Sequence, residues 1–93
     1  MRTIEWTRAF KRDYKRETRS QYGRSLDAEL DAIVPLLSND QAPAERYRDH
    51  ALTGNWQDHR ECHIKPDLLL IYRKPDQTRL QLVRLGSHSE LGL

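Results

Sequence analysis

Apolar positions recur along this chain at two spacings, and the switch between them marks its elements. Ile4 and Trp6 alternate within Arg2 to Trp6, which suits a first strand. Thr7 offers a hydroxyl cap, and Phe10 and Tyr14 follow four residues apart on one face of a helix whose other faces are polar. Gly23 is placed to end that helix and Ser25 to cap a second. Leu26, Leu30, Ile33, Val34 and Leu37 then form a helical apolar stripe. Pro35 interrupts the stripe and removes a backbone donor, which predicts a kink or an early end. Ser38 to Glu45 reads as a loop, with Asn39, Asp40 and Pro43 in it.

The second half changes to strand spacing. Arg60 to Ile64, Leu68 to Arg73 and Thr78 to Leu85 read as three strands, joined by Lys65-Pro66-Asp67 and by Lys74-Pro75-Asp76-Gln77. Leu68 to Tyr72 is continuously apolar, as expected of a central strand covered on both faces. Gly86 opens a short tail. Strand, helix, helix and a three-stranded antiparallel meander predict a compact α+β domain with both helices on one sheet face. Residues 1–93 are expected to form one domain, since 93 residues leave no chain for a second core.

Composition narrows the class. With 37% hydrophobic and 32% charged residues, the chain is too apolar for disorder and too polar for a membrane protein. Its longest apolar run is the five residues Leu68 to Tyr72, far short of the roughly 20 needed to span a bilayer. Met1 to Phe10 carries charges where a secretory leader would be apolar, so a cytoplasmic protein without membrane contact is expected. Cys62 is the single cysteine, which excludes an internal disulfide and a Cys-rich zinc site. Net charge is only +2, but Met1 to Arg24 holds eight basic residues against three acidic ones. Ser25 to Asp49 holds two against six. One basic end fits a polyanionic partner such as nucleic acid, or else a solvated helix face.

The candidate chemistry lies in the histidines. His63 and Asp67 bracket the turn at Pro66, His88 follows the last strand, and His50 precedes Leu52-Thr53-Gly54-Asn55-Trp56. A meander gathers these pieces at one end of the sheet, with the His63 and Asp67 side chains able to meet. Imidazoles beside a carboxylate suit acid–base work near neutral pH. RNA cleavage by its own 2′-hydroxyl needs such a set: one group takes the hydroxyl proton, one protonates the leaving 5′-oxygen, and a cation stabilises the phosphorane. That scheme calls for no metal and no cofactor. No histidine pair shares a helix at ligand spacing, so a metal site is not expected. His59 reads as a surface residue, and Cys62, alternating with His63, as core. Trp56 and Leu52 suit anchoring a loop to the sheet. Arg60, Lys65 and Arg84 either bind phosphates or dress strand faces.

These residues carry a resemblance. The pattern His50-x-Leu52-x-Gly54-x-Trp56, then Arg60-Glu61-x-His63-Ile64-x-Pro66-Asp67, Leu70-Ile71-Tyr72 and Arg84-x-Gly86-Ser87-His88-x-x-Leu91 resembles the YafQ branch of the RelE/ParE toxin superfamily. The match is dense from Tyr47 to Leu91 and looser before it. It implies a microbial-ribonuclease-like α+β fold and the toxin of a type II toxin–antitoxin pair. Such a toxin cuts mRNA in the A site of the 70S ribosome, in the cytoplasm and without metal. The resemblance carries catalytic roles to His50, His63, Asp67 and His88. His88 becomes the general acid, His63 and Asp67 take base and phosphate-orienting roles, and His50 supports them. Glu61 falls where the family has an acidic residue, and Glu61, Arg60, Arg84, Trp56 and Lys65 become supporting or RNA-binding residues. The implied partner is a DinJ-like antitoxin, through which alone the toxin would reach operator DNA. Gly92 stands where the family often carries an aromatic residue, which removes a base-stacking surface worth about 1–3 kcal/mol. The competing reading is a non-catalytic toxin of the same superfamily: a gyrase-type poison, an RNA-binding module or an attenuated form.

Overall fold

The computed structural model describes residues 1–93. Thr3–Trp6 forms β1, Arg8–Glu17 α1, Leu26–Ser38 α2, His50–Ala51 β2, Arg60–Lys65 β3, Leu68–Arg73 β4, Arg79–Gly86 β5 and His88–Leu91 α3. Short 3₁₀ turns at Glu45–Tyr47 and Gly54–Trp56 flank β2. The expected meander is present as β3, β4 and β5, and it is extended to five strands in the order β1-β5-β4-β3-β2. β1, the first strand expected from Ile4 and Trp6, joins β5 in parallel, and β2, which hydrophobic spacing does not reveal, joins β3 antiparallel.

The apolar stripes of both helices lie on one sheet face. Phe10, Leu26, Leu30, Ile33 and Leu37 pack with Cys62, Ile64, Leu70, Tyr72, Leu80, Leu82 and Leu85. Leu69, Ile71 and Leu91 form a smaller cluster, packed by Leu52, Trp56 and Val83. Burial of β4 follows from having neighbours on both faces: Leu68 to Tyr72 are all buried. Burying each such side chain contributes about 1.5–3 kcal/mol.

Three local expectations change. α1 stops at Glu17 rather than running to Gly23, because Thr18 and Ser20 hydroxyls bond the carbonyls of Lys15 and Glu17 at 2.7 and 2.8 Å. Gly23 serves instead as a close-approach residue, where a Cβ would stand 2.2 Å from the Thr18 carbonyl oxygen. Ser25 precedes α2 without a side-chain cap. Pro35 does not bring α2 to an early end, since its carbonyl accepts the Ser38 hydroxyl and the Asn39 backbone and side-chain N–H groups, all at 3.0–3.1 Å. Those bonds hold the last turn although Pro35 itself donates nothing.

α1 is fastened to β5 by a buried carboxylate. Asp13, fully buried, accepts from Arg84 Nε at 2.6 Å, Arg16 at 2.9 Å and the Leu85 backbone N–H at 3.0 Å. Burial alone would raise its pKa. The Arg84 hydrogen bond, the Leu85 N–H and the charges of Arg84 and Arg16 outweigh burial and hold it below the usual carboxylate value. Asp13→Asn is therefore expected to cost about 3 kcal/mol at neutral pH, the low end for breaking a buried pair because both arginines keep some contact with water. A depressed folded-state pKa stabilises the fold above the unfolded value, near 3.9, and that contribution disappears as pH falls through the folded one. Urea melts should show the gap between wild type and variant closing below pH ~4; a pH-independent gap would contradict this assignment.

Candidate active site

The register of β4 decides where the histidines go. Leu69 is paired with His63 of β3 on one side and with Gly86 of β5 on the other. His63 and the start of α3 are thus held one strand apart on either side of Leu69, and Asp67 occupies the turn just before β4. A β-bulge between His63 and Lys65 bends β3 at this point. His88 opens α3, whose entry is fixed by Ser87. The Ser87 hydroxyl accepts from Glu90 N–H at 3.1 Å while the Glu90 carboxylate accepts from Ser87 N–H at 2.9 Å.

The structure brings together His50, His63, Asp67, His88 and Glu61. The His63 ring lies 5.5 Å from His88 and 6.3 Å from His50, centroid to centroid. Asp67 meets His88 rather than His63. One carboxylate oxygen accepts the His88 backbone N–H at 3.0 Å and its ring Nδ1–H at 2.7 Å. These two bonds hold Asp67 below the usual carboxylate pKa, so it stays an acceptor and fixes the proton on His88 Nδ1. Nε2 of His88 is left facing away from Asp67. No hydrogen bond joins His63 to Asp67: in the turn beyond β3 the Asp67 carboxylate is taken by His88, while alternation along β3 puts His63 on the face of Glu61.

Glu61 is the hub of the second pair. It is buried, and its two oxygens face Nε2 of His50 and Nε2 of His63, each at 3.3 Å. The cross-strand pairing of His50 with Glu61 explains this contact. His50 also donates from Nδ1 to the Arg48 carbonyl at 2.6 Å. Glu61, His63 and His88 present ligand atoms within 4.8 Å of one another, a set able to hold a divalent cation. Spacing along the chain does not reveal it, because Glu61 and His63 stand on β3 and the third ligand comes from α3, 25 residues beyond His63.

The remaining candidates have other duties here. Arg84 is committed to Asp13. Arg60 pairs with Asp49 at 3.3 Å, and Asp49 accepts the Tyr72 hydroxyl at 2.6 Å. Lys65 pairs with Glu29 at 3.1 Å. Trp56 packs on the Leu69–Ile71–Leu91 cluster and against His59. Cys62 is fully buried, and burial pushes its thiol pKa up, which leaves it protonated among core side chains. Gly92 closes α3 at φ +72°, a left-handed position that would strain an aromatic residue.

One feature beyond the sequence reading ties α3 to the rest of the chain. Arg16 donates to the Leu85 carbonyl at 2.8 Å and pairs with Glu90 at 3.0 Å. Glu90 is also the residue that caps Ser87. His88 therefore stands on a helix start anchored through α1.

The sequence model of a family described as a bacterial toxin of type II toxin–antitoxin systems, YafQ, matches residues 2–92. The mRNA interferase toxin YafQ of Escherichia coli K12 is 32% identical over 91 residues, covering 97% of this chain and 95% of that protein. A metal-bound toxin from Helicobacter pylori superposes with a TM-score of 0.86 at 44% identity, covering 98% of this chain and 99% of that one. A chain from the E. coli DinJ–YafQ complex superposes with a TM-score of 0.82 at 32% identity, covering 98% of each chain.

The His88 geometry has a direct spectroscopic consequence. In its neutral form His88 should carry its proton on Nδ1, and Asp67→Ala should remove that preference. Nitrogen-15 spectra of the labelled imidazoles check this; a neutral ring protonated on Nε2 in the wild type would contradict the contact.

Proposed function

The chain belongs to the YafQ family of type II toxins, and on that premise we propose that it is an mRNA interferase, an endoribonuclease that cuts translated mRNA in the ribosomal A site. The observation that carries this reading is the convergence of His63, Asp67 and His88 around the first residues of β4. His88, oriented by Asp67, protonates the leaving 5′-oxygen through Nε2. His63 takes the 2′-hydroxyl proton. The Glu61 carboxylate favours a proton on Nε2 of His63 and leaves Nδ1 of the neutral ring as the acceptor. His50, on the other oxygen of Glu61, fixes that carboxylate and adds positive charge near the phosphorane when protonated. The geometry favours this division over one in which Asp67 works with His63.

The proposed partner is a DinJ-like antitoxin. Arg8, Lys11, Arg12, Lys15, Arg19 and Arg24 are all exposed. They offer an electrostatic face for an acidic antitoxin segment or for ribosomal RNA. Any contact with operator DNA would run through the antitoxin.

His88→Ala is expected to reduce mRNA cleavage on translating ribosomes by about 10²- to 10⁴-fold while leaving the melting temperature near that of wild type. Uncut mRNA with the native toxin, or full activity in the variant, would overturn the reading. Unchanged toxicity after removal of His50, His63 and His88 together would favour a gyrase-type poison instead.

The scheme draws its proton transfers from side chains alone. A cation on Glu61, His63 and His88 would tie up the side chains that carry out those transfers and displace protons from them. Added Zn²⁺ should therefore slow cleavage and a chelator should restore it; acceleration by Zn²⁺ would argue for a metal-assisted route.

A further inference from the structure

Behind His63 lies a cavity that the cleavage scheme leaves unused. It encloses about 400 Å³ and is lined by Glu29, Arg46, Tyr47, Arg48, His63 and Lys65 among others. That is within the size range of small-ligand sites. Its charge is positive, with three permanent cations against Glu29 alone, and Glu29 is already paired with Lys65 at 3.1 Å.

The two arginines are differently prepared. Arg46 lies over the Tyr47 ring, 4.7 Å from its centroid, and one of its nitrogens donates to the Tyr47 hydroxyl at 2.9 Å. Its planar fork is thereby steadied with N–H groups to spare. The exposed Arg48 has a side chain with neither an ion pair nor a hydrogen bond, so its charge is uncompensated. Its backbone sits at φ +49°, a left-handed conformation costly for a residue with a Cβ. The same backbone presents the carbonyl that holds His50 Nδ1 at 2.6 Å. One strained residue therefore both aims a candidate active-site imidazole and adds a free guanidinium to the adjoining cavity.

We infer that this cavity is a phosphate subsite, in which Arg46 and Arg48 grip the RNA backbone one step along from the bond being cut. The inference rests on the ribonuclease reading and deepens it. His63 is a wall of both spaces, so a strand cut beside His63 has its neighbouring phosphate at the mouth of the cavity. Guanidinium forks match phosphate oxygens in pairs, and an RNA strand supplies such a group at every step. This continuity favours RNA over an acidic protein segment.

The test uses the whole toxin and a short 2′-O-methyl RNA oligonucleotide, which cannot be cut because it lacks the free 2′-hydroxyl. Arg48→Gly removes the charge and also suits the left-handed backbone, so the fold should be kept; it is combined with Arg46→Ala. Two lost phosphate contacts should lower the slope of log affinity against log salt by about 1.4, with affinity falling about tenfold or more at low salt. Arg48→Lys should restore part of the slope. Equal affinity and slope in the double variant, or no binding by the wild type at low salt, would overturn the inference. So would loss of binding to a polyglutamate peptide with RNA binding intact, which would assign the cavity to an acidic protein segment. Cleavage is not scored here, so failure of the ribonuclease reading would appear separately, as retained cutting by His88→Ala.

Discussion

The double pairing of β4 is the constraint on which the site depends. Leu69 has His63 as its partner on one side and Gly86 on the other. A one-residue slip of β4 would turn Leu69 and Ile71 toward the helices and Leu68, Leu70 and Tyr72 away from them. Both faces of β4 are already filled, by the helix-side core and by the Leu69–Ile71–Leu91 cluster. Hydrophobic burial thus fixes the register, and the register fixes the distance between two imidazoles that lie 25 positions apart in the sequence.

Packing sets where the polar groups stand, and charge sets how they are held. Asp13 binds the end of β5 from α1, and Arg16 extends that attachment to Glu90 and so to the cap of α3. On the other side Asp67 receives two N–H groups of His88. The half-exposed His88 is therefore restrained from both ends of its helical turn without being buried. An imidazole in this state keeps access to solvent and substrate while its tautomer is set by a neighbour. Glu61 gives His63 a comparable restraint, but from within the protein.

Much of the fold was legible because it rests on local patterns. The Thr7 cap, the α2 stripe, the apolar run of β4 and the two proline turns each act within a few residues. β1 and β2 are different. Their pairing partners lie 76 and 11 residues away, for Thr3 with Arg79 and His50 with Glu61, and no local spacing encodes them. α3 is too short for hydrophobic spacing to mark it, although Ser87 followed three residues later by Glu90 is a capping-box signal. The set of candidate residues was readable, but not their partners. Whether Asp67 turns to His63 or to His88 depends on the β4–β5 register, and the tie from Asp13 to Arg84 spans 71 residues. Gly92 illustrates the same limit: as a lost aromatic it looks like a deficit, yet in place it supplies the left-handed residue that ends α3.

The central claim is that imidazoles at the start of β4 move protons around a phosphodiester attacked by its own 2′-hydroxyl. The chemistry of the product ends tests it most directly. Fragments of mRNA cut by the toxin on ribosomes should carry a 2′,3′-cyclic phosphate or 3′-phosphate on one side and a free 5′-hydroxyl on the other. Fragments ending in a 3′-hydroxyl and a 5′-phosphate would mean that water, not the ribose, attacks the phosphorus, and the account would fail.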